Sequence, residues 1–386
     1  MTFRINQRFL TVAAHLAIQV AAVFGLVAVS STAALAGDKD YGKPGEPINL
    51  VIGYQPYYTE SWSGIVMRGK KMYEKYLPKG STVEFSVGLQ GAVIVNAMLA
   101  GKQDIGYVGD MPGIVSTTKQ DVADIRIVAA VGVGTDMCNI VLARTDAPAF
   151  PNSKEALKWL GGKRLSIPLG SCADRFAQAA LKKEGVTPAA VLNQNIEVIT
   201  SGFRAGKVDA AVLWEPTASR LVQEGLAKRV ASGESVGEFD AAFLTMRADL
   251  IKQRPDIVKA WLNAELDAQL FLADGKNAME VAGMAGQQST GFTDKMLWAS
   301  MYGKYDPAVG GAPVRLTMPY TITPEVSALI NNSAAFLFSI KSINVEKLRP
   351  EAVMPEFTQA ILKERGLTSP VGKVSAQDEK EFKAKP

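Results

Sequence analysis

Between Asn49 and Arg247, short apolar runs rich in β-branched residues alternate with stretches of helical periodicity, and most of the runs close on glycine or proline. No other feature constrains the fold as tightly. The β-rich runs are Asn49 to Tyr54, Thr82 to Val87, Asp104 to Asp110, Ile125 to Val131, Leu165 to Leu169, Ile196 to Thr200, Ala210 to Trp214 and Ala241 to Arg247. Helical spacing marks Ser63 to Tyr76, Ala92 to Ala100, the stretch opening at Met111-Pro112, Asn152-Ser153 through Leu160, the stretch from Ser171, and Arg247 to Leu272. Repeated βα units of this length predict an α/β fold of mostly parallel sheets with helices on both faces. In such sheets the ligand crevice lies beyond the carboxyl ends of the strands.

The stretches at those ends are therefore the candidate site. They are Tyr54-Gln55-Pro56, Gly88 to Gly91 with Gln90, Gly109-Asp110-Met111, Gly134 to Cys138 with Asp136, Ser171-Cys172, and Trp214-Glu215. The stretch Arg164 to Phe176 is the clearest: a short strand, a turn at Gly170, then a helix opening at Ser171. A helix start beyond a strand end presents unpaired N–H groups and the positive end of the helix dipole. Ser171 followed three residues later by Asp174 is also a capping-box pattern, which needs no ligand.

Residues Met1 to Ala36 read as a cleavable signal peptide. Arg4 and Arg8 precede a largely apolar run, Phe9 to Val29, and Ala34-Leu35-Ala36 is an A-x-A cleavage site. The expected mature protein begins at Gly37 and is secreted. Cleavage removes His15, the only histidine of the chain, and with it Ser-His and Cys-His nucleophile pairs and histidine metal ligands. It leaves 40 Lys+Arg (42 less Arg4 and Arg8) against 38 Asp+Glu. That balance lacks the basic excess a nucleic-acid partner requires. The remaining 350 residues (386 less 36) suffice for two lobes of ordinary size. No internal repeat of fixed period is present.

Three stretches, in order, resemble one family. Gly91 to Pro112 (GAVIVNAMLAGKQDIGYVGDMP) looks like the first lobe of the nitrate/sulfonate/taurine-type periplasmic binding proteins of ABC importers. Lys163 to Ala180 resembles the glycine-serine helix start of their second lobe, and Gly206 to Pro216 (GKVDAAVLWEP) the strand that follows. The resemblance implies a type II periplasmic-binding-protein fold, two α/β lobes joined by a hinge with a ligand cleft between them. The expected organisation is a signal peptide at 1–36, a first part of lobe 1 at 37–143, lobe 2 at 144–242, a mostly helical second part of lobe 1 at 243–368, and a flexible tail at 369–386. It further implies a monomer without cofactor or catalytic activity, which closes on a small polar organic solute and delivers it to a membrane permease. Carried over by position, the ligand meets Gln55, Gln90, Gly91, Gly109, Asp110, Met111, Ser171, Cys172, Trp214 and Glu215. The chain departs from the pattern in a short segment between Asn195 and Gly206 and a long one from Gly283 to Thr323.

Several residues carry two readings. Tyr54, Tyr57, Tyr58 and Trp62 form either a wall of the crevice or helix-to-sheet packing. Asp110, Asp136, Asp174 and Glu215 set four acids against one base, Arg175, a balance that suits a zwitterionic or amine-bearing ligand; the alternative is that Asp174 caps and Asp136 is solvated. Cys138 and Cys172, 34 positions apart, border the ligand and the hinge in the family pattern, so they form either a disulfide or two free thiols. With Met137 those thiols would make a soft-metal site. An enzyme of the thiamine-pyrimidine synthase type shares the fold, but would need a histidine and a cysteine-rich iron motif that the mature chain lacks.

Overall fold

A computed structural model describes residues 38–383; the expected signal segment, Met1 to Ala36, lies outside the described residues. Twelve strands make two sheets: β1 (Asn49–Tyr54), β2 (Thr82–Val87), β3 (Ile105–Gly109), β4 (Ile125–Gly134), β5 (Ile140–Arg144), β6 (Arg164–Ile167), β7 (Ala190–Asn193), β8 (Ala210–Leu213), β9 (Ala227–Ser232), β10 (Asp240–Arg247), β11 (Val314–Met318) and β12 (Gly372–Ser375). The larger sheet runs β12-β11-β4-β10-β3-β1-β2 and the smaller β7-β6-β8-β5-β9. The chain passes from the larger to the smaller sheet through 135–139 and returns through 233–239.

The sheets are mixed rather than mostly parallel. β1 pairs in parallel with β2 and β3, and β6 with β7 and β8. The strands next to the two crossings, β4, β5, β9 and β10, pair antiparallel. Each of them leads into or out of a crossing instead of a right-handed βαβ return, so the parallel rule does not govern them.

Alternation along β8 shows how the smaller lobe is built. Ala210 and Val212 face the helix Cys172–Glu184 with Leu165 and Phe176, whereas Ala211 and Leu213 face Ile199, Phe203 and Leu221. The two faces of one four-residue strand thus bury two helical layers. In the larger lobe, the helix Pro255–Ala273 stacks Trp261 on Tyr73, ring centroids 5.8 Å apart, over Phe85. On the opposite face Met111, Ile114 and Phe243 pack against Val326, Leu329 and Ile330 of the helix Pro324–Ser339.

Some sequence expectations fail here. The run Ile196 to Thr200 is not a strand but the opening of a helix, Ile196–Arg204, capped by the Asn195 side chain on Val198 N. Its apolar residues Ile196, Ile199 and Phe203 recur at helical spacing, which outweighs β-branching. Ser63 to Tyr76 divides at Lys71, whose φ is 50°, and Arg247 to Leu272 divides at Pro255, which cannot continue a helix. The tail from Ser369 is also structured: β12 pairs antiparallel with β11. Among the described residues no helix is long and apolar enough to cross a membrane.

Candidate functional site

A cleft of about 300 Å³ opens where strand ends of the two sheets face each other. From the larger lobe come Gln55 and Tyr58 after β1, Gln90, Gly91 and Ala92 after β2, and Gly109 closing β3. From the smaller lobe come Leu169, Gly170, Ser171 and Cys172 after β6, and Trp214 after β8. Val95, Pro112, Val115 and Leu169 supply an apolar wall. Among the described residues no charged side chain lines the cleft.

Three helix starts border it, and they differ. The helix Gly91–Leu99 has no side-chain cap, so the N–H groups of Gly91 and Ala92 remain available. A side chain at Gly91 would run into the Pro112 ring, so glycine lets this helix start lie against Pro112. The helix Cys172–Glu184 follows Gly170, whose φ is 74°. Ser171 Oγ donates to Pro168 O (2.6 Å) and accepts from Asp174 N (3.4 Å), leaving the amides of Cys172 and Ala173 free. The third start, Asp110–Thr117, is closed by its own acid: Asp110 accepts from Met111 N at 2.7 Å. The cleft thus receives one helix start from each lobe with free amides; that of Gly91–Leu99 carries no acid, and that of Cys172–Glu184 carries Asp174 in its first turn, which offsets part of its dipole.

Trp214, only 7% exposed, spans the lobes. Its indole N–H donates to Tyr57 O at 3.1 Å and its ring meets Tyr58 edge-on, centroids 6.4 Å apart. Behind Tyr58 lies a buried acidic cluster. The Tyr58 hydroxyl donates to Glu60 and stands 3.2 Å from Asp240 Oδ2. Arg175 reaches Asp110 at 3.6 Å and Glu238 at 3.1 Å. Of the three fully buried carboxylates, Glu60, Asp110 and Asp240, only Asp110 pairs with that guanidinium, and desolvation holds Glu60 and Asp110 above the usual carboxylate range and pushes Asp240 up to about 7. Desolvation, reinforced by Glu60 and Asp240, likewise drives the Tyr58 hydroxyl upward.

The four acids of the sequence reading are all engaged inside the protein. Asp136 is bound by Arg315 and by Arg229 (3.2 Å), and both arginines approach Glu215 Oε1 at 3.7–3.8 Å. Both guanidiniums also stack on Tyr305, 4.3 and 4.9 Å from its ring centroid. This network ties a hinge segment, β9 and β11 together. Burial raises the Glu215 carboxyl despite its two arginines. Asp174 accepts from Gly170 N (2.8 Å) and Gln178 (3.0 Å).

Of the residues picked from the sequence, the structure brings Gln55, Gln90, Gly91, Gly109, Ser171, Cys172 and Trp214 to the cleft. Tyr54 is turned into the core against Phe85, its hydroxyl held by Arg68. Trp62 is buried and donates to Pro56 O. Tyr57 pairs with Thr290 on the outside. Met111 belongs to the helix–sheet core and Cys138 is fully buried. Cys138 and Cys172 are joined in a disulfide, Cα atoms 6.2 Å apart. Sequence reasoning missed Val95 and Val115, one turn beyond Gly91 and Pro112, where helical spacing could have found them. It also missed Ser342, for which the sequence holds no signal.

Two α/β lobes, crossed twice by the chain and meeting over a cleft at their strand ends, form the type II periplasmic-binding-protein fold. The chain belongs to the NMT1-like family, whose model matches residues 43–286. The taurine-binding periplasmic protein of Escherichia coli K12 is 26% identical over 254 residues, 62% of this chain and 74% of that one. The alkanesulfonate-binding protein SsuA from Xanthomonas axonopodis pv. citri, solved with MOPS bound, superposes with a TM-score of 0.63 at 20% identity, covering 81% of this chain and 99% of the other. The fold is not confined to binding proteins: a desulfurization enzyme, DszB, aligns with a TM-score of 0.57 at 15% identity over 82% of this chain and 99% of its own.

Proposed function

We propose that this chain is a periplasmic solute receptor, monomeric and without catalytic activity, that captures a small organic monoanion and hands it to an ABC permease. The observation that carries this reading is the pair of open helix starts, Gly91-Ala92 and Cys172-Ala173, facing one cleft from opposite lobes. Each start offers free amides and the positive end of a helix dipole, undiminished at Gly91 and partly offset by Asp174 at Cys172. Among the described residues no charged side chain lines the cleft itself. That matches a sulfonate head better than a dianion or a cation. The wall of Val95, Pro112, Val115 and Leu169 suits a short apolar body, and a cavity of about 300 Å³ keeps the ligand small.

An ammonium group gains little here, because the carboxylates once expected to meet it are engaged with arginines and backbone amides. An alkanesulfonate is therefore favoured over a zwitterion such as taurine. Because each lobe supplies half of the anion site, ligand binds the closed form better and shifts the population toward it. A catalytic role finds no support in Ser171, whose hydroxyl is occupied on both sides. Calorimetry with a short alkanesulfonate, taurine and the corresponding uncharged alcohol tests the ligand class. Binding in the order alkanesulfonate, taurine, alcohol is expected; a preference for the alcohol or for an amine would overturn it.

A further inference from the structure

The Cys138–Cys172 bridge lies in the wall between the cleft and the acidic cluster. Cys172 lines the cleft and Cys138 sits in the first crossing segment. Asp240, at the start of the strand that carries the chain back, completes a group whose ligand atoms all lie within 4.8 Å of one another. All three residues are buried. Asp240 Oδ1 has no hydrogen-bond partner, and neither has Glu60 Oε1 or Asp110 Oδ2 beside it. An acceptor left bare in a buried site is costly; Asp110 Oδ2 at least faces Arg175 at 3.6 Å, whereas no arginine pairs with Asp240 or Glu60 among the described residues. What this corner lacks is positive charge.

We propose that, once a dithiol reductant opens the bridge, Cys138, Cys172 and Asp240 bind a borderline-soft divalent cation, Zn2+ above all, in the wall of the cleft. The reductant gives two electrons and two protons to the disulfide, leaving two cysteine thiols and becoming a disulfide itself. The metal then displaces both thiol protons and takes two thiolates and the Asp240 carboxylate as ligands. Zinc holds sulfur at about 2.3 Å and carboxylate oxygen at about 2.0–2.2 Å, so the three side chains need to move by only about 1 Å to surround it. Met137, the soft neighbour of Cys138, is not a ligand: its sulfur is held by Thr59 (3.4 Å) and Arg315 (3.7 Å). Three protein ligands would leave one place of a four-coordinate zinc for water or solute. In the oxidised protein the same sulfurs are bonded to each other, so the site exists only after reduction. This inference goes beyond the solute receptor and does not depend on which anion the cleft takes.

The full chain, reduced with a phosphine, desalted without air and titrated with Zn2+ against a chromogenic chelator, is compared with the oxidised protein. One zinc per reduced chain and none on the oxidised chain is expected. Cobalt in place of zinc should give a thiolate charge-transfer band together with the visible spectrum of a four-coordinate ion. Asp240→Asn should keep the thiolate band and weaken zinc binding at least about tenfold, the loss expected for one ligand. Thermal melts cover the case in which the reduced, metal-free chain is partly unfolded. Zinc must then raise the melting temperature of the reduced wild-type chain, and raise it less for Asp240→Asn. Equal binding by oxidised and reduced protein, or equal response of wild type and Asp240→Asn, overturns the proposal.

Discussion

Glu265 offers a test of the buried electrostatics that is independent of any ligand. It sits fully buried on the long helix beneath the larger sheet, accepting from the Tyr107 hydroxyl at 2.7 Å and from Gln269 Nε2 at 2.9 Å. Desolvation, only partly offset by those hydrogen bonds, pushes its carboxyl from 4.5 up to about 7. The folded state therefore holds this proton more tightly than the unfolded chain. Its contribution to stability is complete below about pH 4.5 and is lost as pH rises through about 7. A span of about 2.5 pH units at about 1.4 kcal/mol for each gives about 3 kcal/mol. Glu265→Gln keeps the shape and cannot titrate. Urea unfolding of both proteins from about pH 5 to about pH 8 should show wild type losing about 2–3 kcal/mol relative to the variant. Parallel pH profiles would refute the reasoning, since Glu265 would then be ionised in the fold at neutral pH.

Trp214→Ala removes the indole that bridges the lobes and should weaken ligand binding by about 1–3 kcal/mol in calorimetry; unchanged affinity would make Trp214 a core residue only. Ser171→Ala loses the cap on Asp174 N and should cost about 0.5–2 kcal/mol of stability in thermal or urea unfolding. Denatured, unreduced protein should show no titratable thiol, and reduction should cost about 4 kcal/mol, the loop-entropy value for a bridge closing 34 residues. Two thiols per chain would contradict the bridge.

What the sequence disclosed and what it hid follow from the range of the interactions. The turns that make the cleft were legible because each is local: an apolar strand, a glycine, a helix start. Gly91, Gly109 and Ser171 could be placed from their neighbours alone. The fate of the acids was not legible. Asp136 is met by Arg229 and Arg315, 93 and 179 positions away, and no local pattern announces such partners. Counting acids near strand ends thus gave a charge to the cleft that the fold neutralises elsewhere. Ile196 to Thr200 misled for the opposite reason. Its β-branched residues favour a strand, while the Asn195 cap and the three-to-four spacing that continues to Phe203 favour the helix that forms. The tail was misjudged because a short strand such as β12, with Lys373 and Ser375 facing out, looks polar until its partner β11 is known.

The central claim is that an anion sits on two helix starts of opposite lobes. It is tested most directly by following the backbone amide resonances of nitrogen-15-labelled protein while a short alkanesulfonate is added. The largest shifts are expected at Gly91, Ala92, Cys172 and Ala173, with the Trp214 indole N–H moving alongside. If those amides stay in place while shifts gather at the separate groove around Thr135, Ala312 and Thr317, the anion does not bind between the lobes and the assignment of the cleft is wrong.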